Sequence, residues 1–259
     1  MRIATWNVNS LKARLARVEE WLAYAQPDVL CMQETKLADS AFPDLAFGVL
    51  GYEAAHHGDG RWNGVAILSR VGLEDVAAGF SEAPEGVASE TRLLAATCGG
   101  VRVHSVYVPN GRSLDNAQYA AKLDWLARLR DLIITAVGDP VLPVAVCGDF
   151  NIAPEDRDVY DPGKFVGATH VSPAERAALA EITAAGLVDA FRLVYDQDRL
   201  YTWWDYRAGD FHNHRGMRID LVLLSKSLAD GVRWGIVDRN ARKGQSPSDH
   251  APLVIDVDV

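Results

Sequence analysis

The sequence predicts an α/β fold in which two mixed β-sheets pack together and helices cover their outer faces. Short β-branched runs alternate with amphipathic helical stretches, and the strand-like runs are many and come in a mixed order. No stretch of the chain looks like an interdomain linker. We therefore expect residues 1–259 to form one domain.

The chain opens with the pattern of a strand, a helix and a second strand. Residues 2–8 predict the first strand. Apolar side chains then recur at helical spacing, which predicts a helix over Leu11–Ala25. Pro27 ends that helix, and the apolar run Val29–Gln33 predicts the next strand.

The rest of the chain alternates in the same way. One long helical pattern covers residues 116–137. Another begins at a capping box formed by Ser172 and Glu175, with Pro173 at the first helical position, and ends at Gly186. Further strand-like runs lie at residues 64–69, 92–98, 101–108, 143–147, 201–206, 218–224, 232–237 and 252–259. In the last of these, apolar and polar residues alternate, which is typical of a strand with one buried face.

Composition narrows the class of protein. Apolar residues make up 49% and charged residues 24% of the chain, which are ordinary values for a globular protein and argue against disorder. No apolar run approaches the roughly 18 residues of a membrane span, and the first residues lack a signal-peptide pattern. We therefore expect a cytoplasmic protein. Cys31, Cys98 and Cys147 match neither a disulfide framework nor a zinc pattern and are expected to be reduced core residues.

The net charge bears on possible partners. With 26 basic and 35 acidic residues the formal charge is −9, which by itself argues against non-specific binding of a polyanion. A metal site made of carboxylates adds negative charge, however, and its bound cation offsets part of it. The local field around a site therefore matters more than the total.

Polar side chains recur where the predicted strands stop. The set comprises four carboxylates, three amides, one tyrosine and one histidine: Glu34, Asp149, Asp220, Asp249, Asn7, Asn9, Asn151, Tyr107 and His250. Taken singly, most are typical of turns, helix caps or solvated strand ends. Asp220 differs, because an aspartate inside an apolar strand needs a partner or a metal. Together these residues predict a functional site at the strand ends.

Metal-assisted hydrolysis of a phosphodiester is the chemistry that fits this set. A hard divalent cation takes oxygen ligands, which Glu34, Asn9, Asp220 and Asp249 can supply. No cluster of histidine and cysteine suits zinc. Hydrolysis also requires an activated water, charge neutralisation on the phosphate and help for the leaving oxygen.

The remaining polar residues match these needs. Asp149 can either position or deprotonate the water, a choice that the sequence leaves open, and Asn151 can orient it. His250, held by a carboxylate, can act as a cationic donor to the phosphate. Tyr107 can donate to the phosphate or to the leaving oxygen.

Six short blocks resemble the signature sequences of the exonuclease III family of apurinic/apyrimidinic endonucleases, within the endonuclease/exonuclease/phosphatase superfamily. The blocks are Trp6-Asn7-Val8-Asn9, Gln33-Glu34-Thr35-Lys36, Tyr107-Val108-Pro109-Asn110, Gly148-Asp149-Phe150-Asn151, Arg218-Ile219-Asp220 and Ser248-Asp249-His250. They occur in the family's order, at similar spacing, over essentially the whole chain. The second and third blocks, and the region from Trp203 to Asp220, are more specific to the DNA-repair branch.

This resemblance implies a four-layer α/β sandwich with a Mg²⁺ site, for which Mn²⁺ is an alternative. It implies hydrolysis of duplex DNA 5′ to an abasic site in base excision repair, leaving a 3′-hydroxyl, with accompanying 3′–5′ exonuclease and 3′-phosphatase activity. By resemblance, the catalytic residues are Tyr107, Asp149, Asn151, Asp220 and His250, with Asp220 orienting His250. The implied metal ligands are Glu34, Asn7, Asn9 and Asp249.

The resemblance also implies how substrate is recognised. An enzyme acting at an abasic nucleotide accepts a flipped-out sugar that has no base. The residues at the family's pocket positions are Trp203, Trp204, Met217 and Ile219. Those at or near its DNA-contacting positions are Lys12, Trp62, Arg92, Asn110, Arg112 and Arg207, while Arg61, Arg215 and Arg218 are expected to add positive charge nearby. The expected partner is duplex DNA with abasic sites or blocked 3′ ends, bound by a monomer.

Some features depart from this pattern. The longer loop that follows Asn110 in the enteric exonuclease III is absent, which argues against strong 3′–5′ exonuclease activity. The paired histidines at residues 56–57 and 212–214 lack flanking strand-end carboxylates, so we do not expect a metal there. Two other functions stay open: a phosphodiesterase or phosphatase for a small or lipid-headgroup substrate, which the acidic charge favours, and an inactive binding module.

Overall fold

The computed structural model describes residues 1–81, 85–138 and 142–259, and these contain two six-stranded sheets. The first sheet consists, in spatial order, of β11 (Val232–Val237), β12 (Leu253–Val257), β1 (Arg2–Asn7), β2 (Val29–Gln33), β4 (Val65–Ser69) and β3 (Glu53–His57). The second consists of β5 (Glu74–Ala78), β6 (Leu93–Cys98), β7 (Val101–Tyr107), β8 (Val144–Asp149), β10 (Asp220–Ser225) and β9 (Leu187–Asp189).

Both sheets have the same internal plan. The central pair is parallel in each, β1 with β2 and β7 with β8, while the other described neighbours are antiparallel. In the second sheet Asp149 lies opposite both Tyr107 and Asp220. In the first sheet Asn7 lies opposite Gln33, the residue before Glu34. The carboxyl ends of the central strands therefore present their polar residues together.

Apolar side chains fill the space between the sheets. Ile3 and Ile67 of the first sheet belong to one buried cluster with Val103 and Val222 of the second. Transfer of such side chains out of water is the main favourable contribution to the stability of the sandwich. The three cysteines are free thiols buried in the same cluster, as expected.

Helices cover both outer faces, which confirms the four-layer sandwich. On the first sheet, α1 (Leu11–Ala25) and α2 (Asp44–Val49) pack their apolar faces against β2 and β4. On the second sheet, α3 (Ala117–Gly138) and α4 (Pro173–Ala184) pack against β7, β8 and β10. The short helices α5 (Ala190–Val194) and α6 (Lys226–Ala229) follow β9 and β10.

The helix ends follow the sequence signals closely. α1 has the predicted bounds, and α3 begins and ends one residue later than predicted. At the start of α4 the Ser172 hydroxyl accepts a hydrogen bond from the Glu175 amide at 3.2 Å, and the Glu175 carboxylate accepts one from the Ser172 amide at 3.1 Å. The predicted capping box is thus confirmed.

One predicted strand is wrong. Residues 201–206 form no strand, because their backbone hydrogen bonds are divided between two other segments: Trp203 makes single bridges to Met217 and to His250. Three observed strands were missed. Every residue of β5 is exposed, β9 has three residues, and β3 lacks a regular alternation of apolar and polar residues, so none carries a strong sequence signal.

Within the described ranges, no helix is both long enough and apolar enough to cross a membrane.

A buried ion-pair network lies below the strand ends. The Arg218 side chain is fully buried and donates to Asp158 at 2.6 Å and to Asp189 at 2.7 Å, and Arg192 also pairs with Asp158. Burial by itself would raise the pKa of Asp158, but the two guanidiniums outweigh burial and hold that pKa below its ordinary value. The expectation that Arg218 adds positive charge near a phosphate is therefore wrong, because its charge is neutralised inside the protein.

We expect Asp158→Asn to lower the free energy of unfolding by about 3–5 kcal/mol at neutral pH, because it leaves Arg218 buried with only one carboxylate. A carboxyl group with a depressed pKa stabilises the fold above its unfolded pKa, and that contribution is lost as pH falls through the folded pKa. The difference between the two proteins should therefore shrink below about pH 4. Urea unfolding at several pH values measures both effects.

Asp196→Asn is the matched control, since Asp196 pairs with Arg157 but its side chain is 94% exposed. It should change stability little, because water screens an exposed pair. Equal stability of the Asp158 and Asp196 variants at neutral pH would contradict the importance assigned to the buried network.

Candidate active site at the strand ends

The two sheets meet at the side chain of Asn7, at the carboxyl end of β1. Its fully buried amide nitrogen donates to Oε1 of Glu34 at 2.9 Å, on its own sheet, and to Oδ2 of Asp149 at 2.9 Å, on the other. The Ser248 hydroxyl donates to the backbone carbonyl oxygen of Asn7 at 2.7 Å. These bonds bring residues from four distant parts of the sequence to one edge of the sandwich.

His250 lies between two aspartates. Its Nδ1 is 2.8 Å from Oδ2 of Asp220, and its Nε2 is 3.8 Å from Oδ2 of Asp149. Burial alone would lower the pKa of His250, but the Asp220 carboxylate outweighs burial and raises the pKa to about 10. His250 is therefore an imidazolium at neutral pH, oriented by Asp220.

Asp149 is poised for proton transfer. Burial raises the pKa of Asp149 to about 7, against the opposing effect of the nearby His250 cation. The backbone amide of Asn151 donates to Oδ1 of Asp149 at 2.8 Å. A carboxyl group with a pKa near neutrality is suited to general acid–base work.

Two carboxylates, an amide and a lysine lie together beside Asn7. We call this group the acidic rim; it consists of Glu34, Asp249, Asn9 and Lys36. The Lys36 ammonium is 2.8 Å from Oε2 of Glu34 and donates to Oδ1 of Asn9 at 2.7 Å. The Asn9 amide nitrogen donates to Oδ1 of Asp249 at 3.0 Å. Burial would raise the pKa of Glu34, but Lys36 and Asn7 outweigh it and lower that pKa, so the carboxylate is charged.

The donor set of this region fits a hard divalent cation. Glu34 and Asp249 offer carboxylate oxygens, and Asn9 offers an amide oxygen. The Lys36 ammonium already contacts the oxygens of Asn9 and Glu34. Oδ1 of Asp220 is buried and accepts no hydrogen bond from any described residue. Asp149, Asp220 and His250 also offer ligand atoms within 4.8 Å of one another, but the charge on His250 and its bond to Asp220 favour an imidazolium held by carboxylates.

Tyr107 ends β7 beside these groups. The guanidinium of Arg92 lies 4.7 Å from the centre of its ring, and Arg92 is paired with Glu90 at 2.6 Å. Arg92 is 9% exposed. The structure thus places Arg92 against Tyr107, where a cation–π contact orients the phenol. Burial, followed by the Glu34 charge, raises the pKa of Tyr107 well above its ordinary value, so its hydroxyl remains a donor.

Sequence reasoning missed the support behind Asn151. The fully buried Lys122 of α3 pairs with Glu175 of α4 at 2.5 Å and donates to the Asn151 carbonyl at 2.8 Å. The His170 ring is 3.1 Å from Oδ1 of Asn151. A lone lysine on the apolar face of α3 was the available signal, because a buried ammonium needs a partner.

Lys36 was also missed, although it lies in one of the quoted blocks. Its position two residues after Glu34 gave no sign that its ammonium would join two parts of the rim. That contact depends on the backbone turn after β2, where both Glu34 and Lys36 have positive φ angles, 51° and 53°.

The structure divides the four pocket residues predicted by resemblance. Trp203 packs with Met217 and Ile219 in one apolar cluster, while Trp204 is fully buried in another with Tyr201 and Ala251. Met217 and Ile219 are each 3% exposed, so Trp203 is the more accessible part of the first cluster. Two backbone hydrogen bonds between Trp203 and Met217 hold Trp203 beside the segment that carries Met217 and Ile219.

Most predicted DNA-contacting residues lie at the surface. Exposed side chains occur at Lys12, Trp62, Asn110, Arg112 and Arg207. Arg207 makes a two-point pair with Asp205 and its side chain is nevertheless 87% exposed. Arg92 is the exception, because it is largely buried against Tyr107.

We expect Asp220→Asn to lower the pKa of His250 by several units, because the variant removes the carboxylate that offsets the cost of burying the imidazolium. In the unaltered protein, histidine proton resonances followed by NMR should show a group that titrates near pH 10. In the variant the same resonance should titrate below the ordinary histidine value. An unchanged titration would show that Asp220 does not hold the charge on His250.

Comparison with known proteins identifies the family of this chain. The sequence model described as the Endonuclease/Exonuclease/phosphatase family matches residues 4–250. An exodeoxyribonuclease III from Haemophilus influenzae is 32% identical over 265 aligned positions, covering 98% of each chain.

Two solved structures superpose on the whole chain. A 3′ phosphatase from Neisseria, solved with a product DNA hairpin, has a TM-score of 0.96 and 39% identity, with 100% of each chain covered. An AP endonuclease from Archaeoglobus fulgidus has a TM-score of 0.96 and 38% identity, again with 100% of each chain covered. The chain therefore belongs to the endonuclease/exonuclease/phosphatase family, in its exonuclease III group of nucleases.

Proposed function

We propose that this protein is a DNA-repair nuclease that hydrolyses the phosphodiester 5′ to an abasic site in duplex DNA and leaves a 3′-hydroxyl. The observation that carries the proposal is the constellation of His250, Asp220 and Asp149 beside the acidic rim. The similarity of the chain to an exodeoxyribonuclease III and to an AP endonuclease, over nearly its full length, supports a DNA substrate.

Mg²⁺ is the proposed cofactor. Glu34 and Asp249, with the amides of Asn7 and Asn9 beside them, would hold it. When bound, such a cation neutralises charge on the phosphate and favours deprotonation of water. In the structure the Asn7 nitrogen donates to both Glu34 and Asp149, so Asn7 contributes by orienting carboxylates.

The protein's own residues account for the proton transfers and for charge stabilisation. Asp149, with a pKa near neutrality, accepts the proton of the attacking water, and Asn151 orients that carboxylate through its backbone amide. The His250 imidazolium donates to a non-bridging phosphate oxygen, where negative charge develops. The Tyr107 hydroxyl donates to the phosphate or the leaving oxygen, with its ring held by Arg92.

Trp203, with the edges of Met217 and Ile219, forms the apolar surface proposed to receive the flipped-out sugar. The exposed Lys12, Trp62, Arg112 and Arg207 are proposed to contact the flanking DNA. Lys12 and Arg112, which are exposed, would supply positive charge that attracts phosphate despite the −9 total, since the charge of the buried cations is neutralised by carboxylates.

Processing of 3′ ends is the second candidate activity. The observation that favours it is the full-length similarity to a Neisseria 3′ phosphatase bound to a product hairpin. A terminal 3′-phosphate presents the same kind of phosphorus centre to the same groups, but requires no flipped sugar inside an intact strand. The two activities therefore differ in their demand on the pocket around Trp203.

A labelled duplex with one tetrahydrofuran abasic analogue distinguishes them, run beside a duplex ending in a 3′-phosphate and an undamaged recessed 3′ end. With Mg²⁺ we expect a single nick 5′ to the analogue, little loss of the recessed end, and no reaction in EDTA. Release of phosphate or ladder-like degradation without any nick would overturn the endonuclease proposal in favour of 3′-end processing.

We expect Glu34→Ala, Asp149→Asn and His250→Ala each to lower kcat at least about a hundredfold, as for loss of a general acid–base group or a metal ligand. His104→Leu is the control for loss of a buried histidine. His104 is 3% exposed, its ring nitrogens contact no partner among the described residues, and it lies outside the site. Unchanged turnover in all three site variants would contradict the assignment of the site.

A further inference from the structure

The segment Thr202–Trp204 lies between the two stretches of chain that supply the pocket and the acidic rim. On one side the backbone of Trp203 exchanges hydrogen bonds with Met217, at 2.9 and 3.0 Å. On the other, the Trp204 amide donates to the Asp249 carbonyl at 3.0 Å and the Ala251 amide to the Thr202 carbonyl at 2.8 Å. The segment therefore ties the backbones of both stretches together.

The Trp203 side chain makes the same connection a second time. One face of the indole packs in the apolar cluster with Met217 and Ile219. Its Nε1 donates to Oδ2 of Asp249 at 3.1 Å. Asn9 donates to the other oxygen of that carboxylate at 3.0 Å, so each oxygen of Asp249 has its own donor.

These contacts form one hydrogen-bonded path from the pocket wall along the acidic rim. It runs through Trp203, Asp249, Asn9, Lys36 and Glu34, with donor–acceptor distances of 3.1, 3.0, 2.7 and 2.8 Å. Asn7 extends the path from Glu34 to Asp149. A displacement of the Trp203 ring must therefore turn the Asp249 carboxylate or break its bond.

We propose that Trp203 is a positioning residue for Asp249 as well as a wall of the pocket. The indole N–H orients the Asp249 carboxylate, and the ring contacts the group that occupies the pocket. The inference rests on the proposed function, because it takes the pocket as the sugar site and Asp249 as part of the cation site. Binding in the pocket and binding of the cation then favour each other reciprocally.

A purely apolar wall requires only the ring, whereas a positioning residue requires the N–H. Trp203→Phe keeps an aromatic ring and removes the donor. Trp21→Phe is the matched control, because the Trp21 indole donates to Oδ2 of Asp238 at 3.0 Å, in a buried position within α1 and outside the site. Both variants lose one indole–aspartate hydrogen bond.

The first measurement is Mg²⁺ binding to each folded protein by calorimetry, without DNA. We expect Trp203→Phe to weaken Mg²⁺ binding about tenfold, as for loss of a hydrogen bond to a metal ligand, and Trp21→Phe to leave it unchanged. With DNA, Trp203→Phe should lower kcat more than it raises KM, since most of the pocket wall remains. Unchanged Mg²⁺ affinity in Trp203→Phe overturns the proposal.

A double-mutant cycle shows whether the effect passes through Asp249. In an Asp249→Ala background, Trp203→Phe should cause no further loss of Mg²⁺ affinity or kcat. The same fold loss in both backgrounds would assign Trp203 a general structural role and contradict the proposal. Trp203→His, whose ring can still donate, should recover part of the loss.

A third readout needs neither turnover nor metal. The indole proton of Trp203, observed by NMR, should exchange with solvent more slowly in the unaltered protein than in Asp249→Ala. Equal exchange rates would show that the hydrogen bond does not persist in solution. If the protein binds Mg²⁺ but cuts no abasic duplex, the proposed function fails while the calorimetric and NMR results still decide the role of Trp203.

Discussion

The hydrogen bonds of one amide group join the two sheets at the candidate active site. The Asn7 nitrogen donates to Glu34 on one sheet and to Asp149 on the other. The partly exposed Glu34 carboxylate and the buried Asp149 carboxylate repel each other and lose hydration, and a shared donor offsets both costs. The acidic rim lies on one side of this donor, and His250 with its two aspartates lies on the other. The candidate active site is therefore organised around the contact between the sheets.

Pairing of buried charge also governs the layers around the site. Lys122 with Glu175 and Arg218 with Asp158 are ion pairs between fully buried side chains, and Arg218 also pairs with Asp189, whose side chain is 18% exposed. Such pairs add little net stability compared with apolar packing, but the loss of one partner is costly. They restrict the arrangement of the elements that carry them, which here are α3, α4, β9 and the segments that hold Asp158 and Arg218.

Much of the fold and site could be predicted because the informative residues are close in sequence to strong local patterns. Three of the polar residues end the strands β1, β7 and β8, and Glu34 directly follows β2; these strands are largely buried. The missed edge strands β3, β5 and β9 had no such pattern. The stretch 201–206 looked like a strand because it is aromatic, yet its backbone bonds to two separate segments.

Contacts between distant residues were the least predictable part. Neither the ammonium of Lys36 in the rim nor the pairing of Lys122 with Glu175 follows from spacing. The first depends on how two loops meet, and the second on how α3 packs against α4. Arg218 was misjudged for the same reason. An arginine beside a catalytic motif has the same sequence whether it faces solvent or a buried aspartate, and only the tertiary structure distinguishes the two.

The pairing of β1 with β12 has a consequence for how the protein is made. Ser248 reaches the backbone of Asn7 across 241 positions of sequence, and His250 lies two residues after Ser248. A growing chain on the ribosome therefore carries Asn7, Glu34 and Asp149 long before the imidazolium that completes the group. This arrangement of side chains is complete only when the strand after His250 has emerged and docked beside β1, so a partly synthesised chain lacks the candidate site.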